Sequence, residues 1–386
     1  MEKTWRWFGK KDIITLSDLK QIGVEGIVTA LHHIPNGEIW TVEEIMDLKQ
    51  YIEDHNLRWS VVESLPVCEA IKYAGRERDQ LIENYKVSLA NLGKCGVRTV
   101  CYNFMPVIDW IRTDLAHKQP DGSCALYFDK VRFAYFDIYI LKREGAEKDY
   151  SDEIISKANE LDKTITEEEK NELIDSIIVK TQGFVNGNIS EDELEPVTLF
   201  KQLLELYKGI DKQQLRENMK YFLEQVIPTA EEYGVNLCVH PDDPPFPVLG
   251  LPRIVTNEED IEWLLKAVDN QHNGLTFCAG SLSAGLHNDV PYLAKKFASR
   301  THFVHLRSTS VLPNGNFIEA SHLGGRANLP EVIRIFKNYP HLPMRVDHGP
   351  LLSADAGKKY NSGYSFLGRM KALGEVSGMM KIIYDE

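Results

Sequence analysis

The chain has 386 residues, of which 43% are hydrophobic and 26% charged, and its formal net charge is −13 at pH 7. This composition is typical of a globular protein with a large core, and the acidic balance argues against a nucleic-acid-binding surface. No apolar run approaches the roughly 20 residues that span a bilayer, no signal peptide is recognised, and the six cysteines form no CxxC pair. We therefore expect reduced thiols, no membrane association and a cytoplasmic location.

Strands and helices alternate in the first quarter of the chain. Strands are predicted at Thr4–Phe8, Gly23–Thr29, Leu57–Val62 and Val97–Phe104. Helices are predicted at Ser17–Gln21, Val42–His55 and Arg78–Gly93. Such alternation favours parallel βαβ units.

This regular alternation stops at about Met105, and no strand is predicted from there to Gly209. The stretch 144–179 is rich in Glu, Asp and Lys with scattered Leu and Ile, which is typical of helices that are solvated on one face. We predict a largely helical insertion at about 108–210, between the fourth and fifth strands. Two roles stay open for it, a surface excursion and a lid or subunit contact, because long insertions at a barrel mouth are often functional.

The alternation resumes after the insertion and brings the number of strands to eight. The later strands are predicted at Val235–His240, Leu275–Cys278, His302–His305 and Met344–Asp347. The later helices are predicted at Leu215–Tyr233, Asn257–Val268, Val290–Ala298, Leu329–Asn338 and Gly363–Met380. This order predicts an α/β fold of the (β/α)8 TIM-barrel type, as a single domain over 1–386.

Each of the last four strands ends on a potential metal ligand. These residues are His240, Cys278, His305 and Asp347. Because the C-terminal ends of barrel strands converge on one mouth, we expect the four side chains to meet there. Two imidazoles, a thiolate and a carboxylate suit one divalent ion, with Mn²⁺ or Fe²⁺ expected and Mg²⁺, Co²⁺ or Zn²⁺ also compatible.

Other polar groups at the same strand ends are candidates for catalysis. His348 follows Asp347 and begins the loop at the mouth, where a histidine can act as a general acid or base. Tyr360 and Tyr364 lie just beyond the last strand. Either tyrosine would need its high pKa lowered by a metal or a cation to act in the same way.

A further set of residues is expected to contact the substrate. Arg307 shares a strand face with His305 and has the fork geometry for a carboxylate, although a salt bridge at the barrel rim is an equal alternative. His32 and His33 end the second strand, and one of them can face the pocket. Asn103, at the end of the fourth strand, is also assigned to substrate binding. Weaker candidates are Glu63, Asp242 and His322.

Several longer segments are more specific than these short patterns. They are TWRWFG, GIVTALHHIPNGEIW, WSVVESLPV, RTVCYNFMPVIDWIRTDL, CVHPDDPPFPVLGLPRIV, HLRST, RVDHGP and SGYSFLGRMKALGE. Together they resemble the D-mannonate dehydratase family over essentially the whole chain. The resemblance implies a metal-dependent, xylose-isomerase-like (β/α)8 barrel. It also implies a hydro-lyase that converts D-mannonate into 2-dehydro-3-deoxy-D-gluconate and water in bacterial hexuronate degradation.

The resemblance also assigns roles to individual residues. The family's Mn²⁺ or Fe²⁺ ligands map onto the four strand-end residues, and its two proton-transfer residues map onto His348 and Tyr364, with Tyr360 the weaker match. We further expect a homo-oligomer, most simply a dimer. Two alternatives stay open, namely a metal-dependent sugar or sugar-acid isomerase of the same barrel class and a barrel that binds metal or sugar acid without turnover.

Overall fold

The fold is built on a closed barrel of parallel strands. The computed structural model describes residues 1–181, 189 and 195–386. The barrel strands are β1 (Glu2–Arg6), β2 (Gly26–Thr29), β3 (Arg58–Glu63), β4 (Thr99–Tyr102), β7 (Asn236–Val239), β8 (Asn273–Cys278), β9 (Thr301–Leu306) and β12 (Pro343–Val346). They close in chain order, with β12 paired to β1. The predicted (β/α)8 barrel is confirmed.

Helices lie between and around these strands. Before β7 they are α1 (Leu16–Gln21), α2 (Val42–Glu53), α3 (Glu69–Lys72), α4 (Arg78–Lys94), α5 (Lys130–Tyr135), α6 (Asp152–Asp162), α7 (Glu167–Ile174), α8 (Pro196–Glu205) and α9 (Lys212–Tyr233). After β7 they are α10 (Glu258–Ala267), α11 (Ala279–Ser283), α12 (Val290–Phe297), α13 (Leu329–Phe336) and α14 (Phe366–Asp385). Short π-helices occupy Phe136–Leu141 and Asp175–Val179, and 3₁₀ turns occupy Ala146–Asp149, Ala298–Arg300 and Ser353–Asp355. Within the described residues, none of these helices has the length and apolar character needed to cross a membrane.

The barrel strands are buried on both faces, as expected when helices surround a parallel sheet. All six residues of β8 are buried, and so are all four of β4. A small group of apolar side chains fills the barrel interior: Val28, Val61, Cys101, Cys238 and Phe303. This packing closes the barrel below the strand ends, so a site can form only at the mouth.

Two strands of a second sheet lie in the region that was predicted to contain no strand, and that prediction was wrong. Strands β5 (Asp114–Lys118) and β6 (Cys124–Phe128) form an antiparallel hairpin. A later hairpin, β10 (Thr309–Val311) and β11 (Phe317–Glu319), extends it in the order β10-β11-β6-β5. The sequence of β5, DLAHK, lacks an alternating apolar pattern because its residues are half-buried or exposed.

The insertion has a hydrophobic core of its own beside the barrel core. Helices α5–α8 belong to it, as predicted, and the residues 182–188 and 190–194 lie outside the described part of the chain. Its buried side chains, which include Phe133, Phe136 and Phe200, form one cluster with Leu249 and Phe317 from the later barrel loops. The insertion therefore packs on the side of the barrel where the strands end.

Candidate active site and metal centre

A cavity of about 600 Å³ opens at the C-terminal ends of the barrel strands. Most of the residues predicted to form a site line it, namely His32, His33, Asn103, His240, Arg307, Asp347, His348 and Tyr364. Cys278 and His305 are fully buried and contact this group from below. Asp242, His322 and Tyr360 are not among the lining residues.

Three of the predicted metal ligands form a compact group of donor atoms. One donor atom from each of His240, Cys278 and His305 lies within 4.8 Å of the other two. The Nε2 atom of His240 lies 3.2 Å from Nδ1 of His305. Each of the three residues stands at the end of its strand or directly after it, which is why the barrel brings them together.

The outer nitrogen of each imidazole lies close to an oxygen atom of a neighbouring residue. Nδ1 of His240 lies 2.7 Å from the carbonyl oxygen of Pro241. Nε2 of His305 lies 3.1 Å from Oε1 of Glu63. Such contacts fix the tautomer and orientation of histidines that bind metals. They leave Nε2 of His240 and Nδ1 of His305 directed at the shared position.

The environment of Cys278 favours its thiolate form. Burial would raise the pKa of the thiol, but Arg307 and the two histidines outweigh burial and hold that pKa well below its ordinary value. The sulfur also accepts hydrogen bonds from Oγ of Ser281 at 3.1 Å and from Nη2 of Arg307 at 3.4 Å. A thiolate is the form of cysteine that binds metals. These residues therefore fit a divalent transition-metal ion.

Asp347 lies at the edge of this group, outside the set of three. Its Oδ2 atom is 3.9 Å from Nδ1 of His305 and 2.9 Å from Nε of Arg307. Its Oδ1 atom accepts hydrogen bonds from Arg345 and, at 3.1 Å, from the hydroxyl of Tyr364. Burial opposes ionisation, but Arg345 and the other nearby cations hold the pKa of Asp347 well below its usual range. Its role as fourth ligand remains a prediction.

His348 and Tyr364 stand side by side on the wall of the cavity. Their rings make an edge contact with centroids 5.3 Å apart, and Trp110 lies 5.3 Å from the other side of His348. Nδ1 of His348 lies 3.2 Å from Oε1 of Glu319. Tyr360 instead lies away from the cavity, with its hydroxyl 3.4 Å from Asp355. The geometry thus favours Tyr364 over Tyr360 as the residue near the substrate.

This arrangement has counterparts among known proteins. A family model described as D-mannonate dehydratase (UxuA) matches residues 1–385. The chain belongs to the D-mannonate dehydratase family. Members of this family are hydro-lyases, so the chain is an enzyme of that class.

Individual relatives support the same assignment over the full length. Mannonate dehydratases of Marinomonas sp. (strain MWYL1) and Chromohalobacter salexigens are 49% and 43% identical to this chain, and each alignment covers 98% of both sequences. The crystal structure of mannonate dehydratase from Streptococcus suis serotype 2 matches with a TM-score of 0.80 and 33% identity, covering 100% of this chain and 95% of that one. A D-psicose 3-epimerase from Clostridium cellulolyticum H10, at 10% identity and a TM-score of 0.53, shares the fold alone.

Arg307 contacts protein groups at each of its nitrogens. Nη1 donates to Oε1 of Glu319 at 2.6 Å, and Nη2 donates to Oδ2 of Asp243 at 2.7 Å and to Oγ of Ser281 at 2.9 Å. The guanidinium is 1% exposed. This geometry favours a role in holding the dehydratase site together over the predicted fork to a substrate carboxylate.

Sequence reasoning missed three members of this buried ion network. Arg112 donates to Asp243 at 2.7 Å and to Glu319 at 2.6 Å, so both carboxylates are shared between two arginines. Burial would raise the pKa of Glu319, but Arg307 and Arg112 outweigh burial and lower it to about 2. Asp243, in the turn HPDDPP beside a predicted ligand, could have been suspected. The sequence around Arg112 and Glu319 has no pattern that would place them in the site, because only tertiary structure brings them to the mouth.

The remaining candidates have structural partners. Glu63 accepts hydrogen bonds from Nε and Nη2 of Arg345, at 2.9 and 3.1 Å. Its Oε1 atom also lies 3.1 Å from Nε2 of His305. Asp242 is buried and accepts the backbone N–H groups of Ile254 and Val255. His322 is buried outside the cavity lining. Glu63 therefore supports the metal centre, whereas Asp242 supports a loop.

Proposed function

We propose that this chain converts D-mannonate into 2-dehydro-3-deoxy-D-gluconate and water, with Mn²⁺ or Fe²⁺ held by His240, Cys278, His305 and Asp347. The observation that carries the proposal is the arrangement of the cavity. Its floor presents two imidazoles and a thiolate with donor atoms within 4.8 Å of one another, and its wall presents His348 and Tyr364. This is the arrangement that a dehydration needs, because charge must be stabilised while two protons are moved.

The chain's own residues would carry the proton transfers. Dehydration of the sugar acid takes the proton from C2, beside the carboxylate, and expels the hydroxyl from C3 as water. His348 and Tyr364 line the cavity next to each other, so one can accept the C2 proton while the other protonates the departing hydroxyl. Glu319 would hold the ring of His348 through Nδ1, which leaves Nε2 for the substrate. A divalent ion, when bound, supplies Lewis-acid stabilisation of the negative charge that develops on substrate oxygens.

The local charge of the cavity suits an acidic substrate despite the overall charge of −13. Arg6, Arg307 and Arg345 all contribute to its lining. Fields inside a cleft depend on nearby groups more than on net charge. His32, His33 and Asn103 line the same cavity and are proposed to contact hydroxyl groups of the sugar acid.

The decisive experiment measures product and metal together. Chelator-treated enzyme should lose activity on D-mannonate, and added Mn²⁺ or Fe²⁺ should restore formation of the 2-keto-3-deoxy acid. Metal analysis should give one ion per chain in the restored enzyme. Full activity in a metal-free preparation would contradict the metal role. Interconversion of ketose and aldose without loss of water would instead establish an isomerase, and tight binding without turnover would establish a non-catalytic barrel.

We also propose a cytoplasmic location and a homodimer. All six cysteines are free, which is typical of proteins in a reducing compartment. Leu286 and Leu323 are both more than half exposed, and Arg326 links their two loops through the carbonyl oxygen of Gly285 at 3.2 Å. We propose that these two leucines contribute to the subunit contact. Sedimentation equilibrium should give about twice the mass of one chain, and a monomer at all concentrations would contradict the dimer.

A further inference from the structure

Three arginines line the active-site cavity, and their guanidinium groups differ in how far the protein satisfies them. They are Arg6, Arg307 and Arg345. Each is nearly fully buried, with 6%, 1% and 3% of the residue exposed. A buried guanidinium that lacks acceptors costs free energy, so unfilled donor positions point to a ligand.

In two of the three arginines, both Nη atoms donate to protein carboxylates. Arg345 donates to both oxygens of Glu63 and to Asp347. Arg307 donates to Glu319 and Asp243, and its Nε lies 2.9 Å from Asp347. The Nη atoms of both arginines are therefore used by the protein, although Nε of Arg307 lies near Asp347 without making a hydrogen bond within the described residues.

Arg6 differs from the other two arginines at its Nη1 atom. Its Nε atom lies 3.9 Å from Oε2 of Glu63, beyond hydrogen-bond distance, and that oxygen already accepts from Arg345 at 2.9 Å. Within residues 1–181, 189 and 195–386, Nη1 of Arg6 has no hydrogen-bond partner. The positive charge of Arg6 is therefore the least compensated of the three.

The fold holds Arg6 in place at the mouth. It is the last residue of β1, and the C-terminal ends of the barrel strands are where substrates bind. Its backbone carbonyl accepts a hydrogen bond of 2.8 Å from the buried Arg369, and its guanidinium lies 4.8 Å from the ring centre of Phe8. The side chain is thus positioned by the protein, while its Nη1 has no hydrogen-bond partner among the described residues.

We propose that Arg6 binds the carboxylate of the sugar-acid substrate. This assignment rests on the proposed function and moves to Arg6 the role that sequence reasoning gave to Arg307. An arginine can present two parallel N–H groups to a carboxylate, which lysine cannot reproduce. Arg6 would distinguish sugar acids from uncharged sugars and polyols, since only the acid supplies an anion for its free edge.

The test compares variants of Arg6 with a matched arginine on the opposite end of the barrel. Arg98 directly precedes β4 and is exposed, with its Nη1 donating to the carbonyl oxygen of Tyr233 at 2.8 Å. Arg6→Lys and Arg6→Gln should raise KM for D-mannonate by about 10- to 100-fold, as expected when a charge-assisted hydrogen bond is lost. Arg98→Lys should leave KM unchanged, and all variants should retain metal.

Charge discrimination separates a carboxylate contact from a general structural role. Affinities are measured by calorimetry for two probes, the anion D-gluconate and the uncharged polyol D-mannitol. Arg6→Gln should weaken gluconate binding and leave mannitol binding unchanged. Equal weakening of both, or of neither, would overturn the assignment. Because binding is measured without turnover, a wild-type enzyme that binds D-mannonate but does not dehydrate it would refute the proposed function and still allow the role of Arg6 to be judged.

A measurement on the wild-type enzyme covers the case in which the variants fail to fold. Phenylglyoxal modifies reactive arginines, and peptide mass spectrometry identifies the sites. Arg6 should be modified in the free enzyme and protected by D-gluconate, but not by D-mannitol. Modification that gluconate does not prevent would contradict the proposal. Absence of modification would also contradict the proposal. If phenylglyoxal cannot reach Arg6, a sugar acid of similar size cannot reach it.

Discussion

Glu319 determines how His348 can act at the active site. It accepts from two arginines and lies 3.2 Å from Nδ1 of His348. A carboxylate in that position orients the ring and sets which nitrogen faces the substrate. His348 is therefore held by a residue that is distant in the sequence and that belongs to the smaller sheet.

Replacement of His348 should separate chemistry from metal binding. His348→Asn removes the acid–base group, and loss of such a group typically lowers the rate by about 10²–10⁴-fold. The donor group of His240, Cys278 and His305 is left intact, so we expect metal content to be unchanged while kcat falls. Steady-state kinetics and metal analysis on one preparation test this. A parallel fall in metal content would show that His348 is a ligand or a structural support.

The two neighbouring tyrosines provide a matched control for the same chemistry. Tyr364→Phe should lower kcat strongly, because Tyr364 lines the cavity and donates to Asp347 at 3.1 Å. Tyr360→Phe should have little effect on kcat, because its hydroxyl faces Asp355. The reverse order of the two variants would transfer the proton-transfer role to Tyr360.

The pKa of Glu319 is lowered to about 2, which predicts that its ionised carboxylate stabilises the fold and that acid removes this stabilisation. A carboxyl whose pKa is lower in the folded state than in the unfolded state, where it is about 4.3, stabilises the fold above that pH. This contribution is lost as the pH falls through about 2. Glu319→Gln removes the charge and should cost about 3–5 kcal/mol at pH 7, since two buried arginines lose a partner. Urea unfolding measures the free energy of unfolding of the wild type and of Glu319→Gln. The difference between the two should narrow as the pH falls below about 4.3. A difference that does not change with pH would exclude this ionisation.

At the scale of elements, the four predicted metal ligands come from the ends of four parallel strands. His240 follows β7, Cys278 ends β8, His305 lies in β9 and Asp347 follows β12. Position along the strand matters as much as residue type. Cys238, two residues before His240, is buried in the barrel interior instead, with its sulfur 3.4 Å from the carbonyl oxygen of Val100.

This difference between the two cysteines can be tested with the same substitution. Cys278→Ala should reduce Mn²⁺ or Fe²⁺ content and activity together, because one of three clustered donors is removed. Cys238→Ala should retain the metal and lose only some stability, as expected when a buried side chain is shortened. Metal analysis after dialysis compares the two. Retention of a full complement of metal in Cys278→Ala would place the ion elsewhere.

At the scale of the whole molecule, a half-buried carboxylate joins the insertion to the barrel. Glu69 in α3 accepts from Nζ of Lys72 at 2.7 Å, from the backbone N–H of Val107 at 3.0 Å and from the hydroxyl of Tyr207. Lys72 also donates to the carbonyl oxygen of Met105 at 2.8 Å. Met105 lines the active-site cavity, so this junction ties the insertion to one wall of the site.

Removal of the Tyr207 hydroxyl should weaken this junction. Tyr207→Phe leaves an oxygen of Glu69 with one donor fewer, which costs about 1–3 kcal/mol. Tyr139→Phe is the control, because its hydroxyl bonds Asn159 at an exposed position and should contribute little. Urea denaturation measures both. Equal stability of the two variants would show that the Tyr207 contact does not hold the insertion.

Patterns along the chain predicted the barrel and many of the residues that line the cavity at its mouth. Alternating strands and helices predict the barrel because the helices of βαβ units cover the faces of a parallel sheet. The residues at the strand ends converge when such a sheet closes. Local pattern failed for β5, whose polar sequence forms a strand because β6 and, beyond it, β11 supply partners.

Only the tertiary structure decided which arginine at the mouth keeps an Nη atom without a protein partner. By its position in the sequence, Arg307 looks suited to a substrate carboxylate. In the folded chain Glu319, Asp243 and Asp347 surround it, whereas Arg6, at the other end of the sequence, keeps an unpaired Nη1 within the described residues. The periodicity of a strand places a side chain at the mouth of the barrel. Its partners come from distant segments, and those partners decide what remains available to bind.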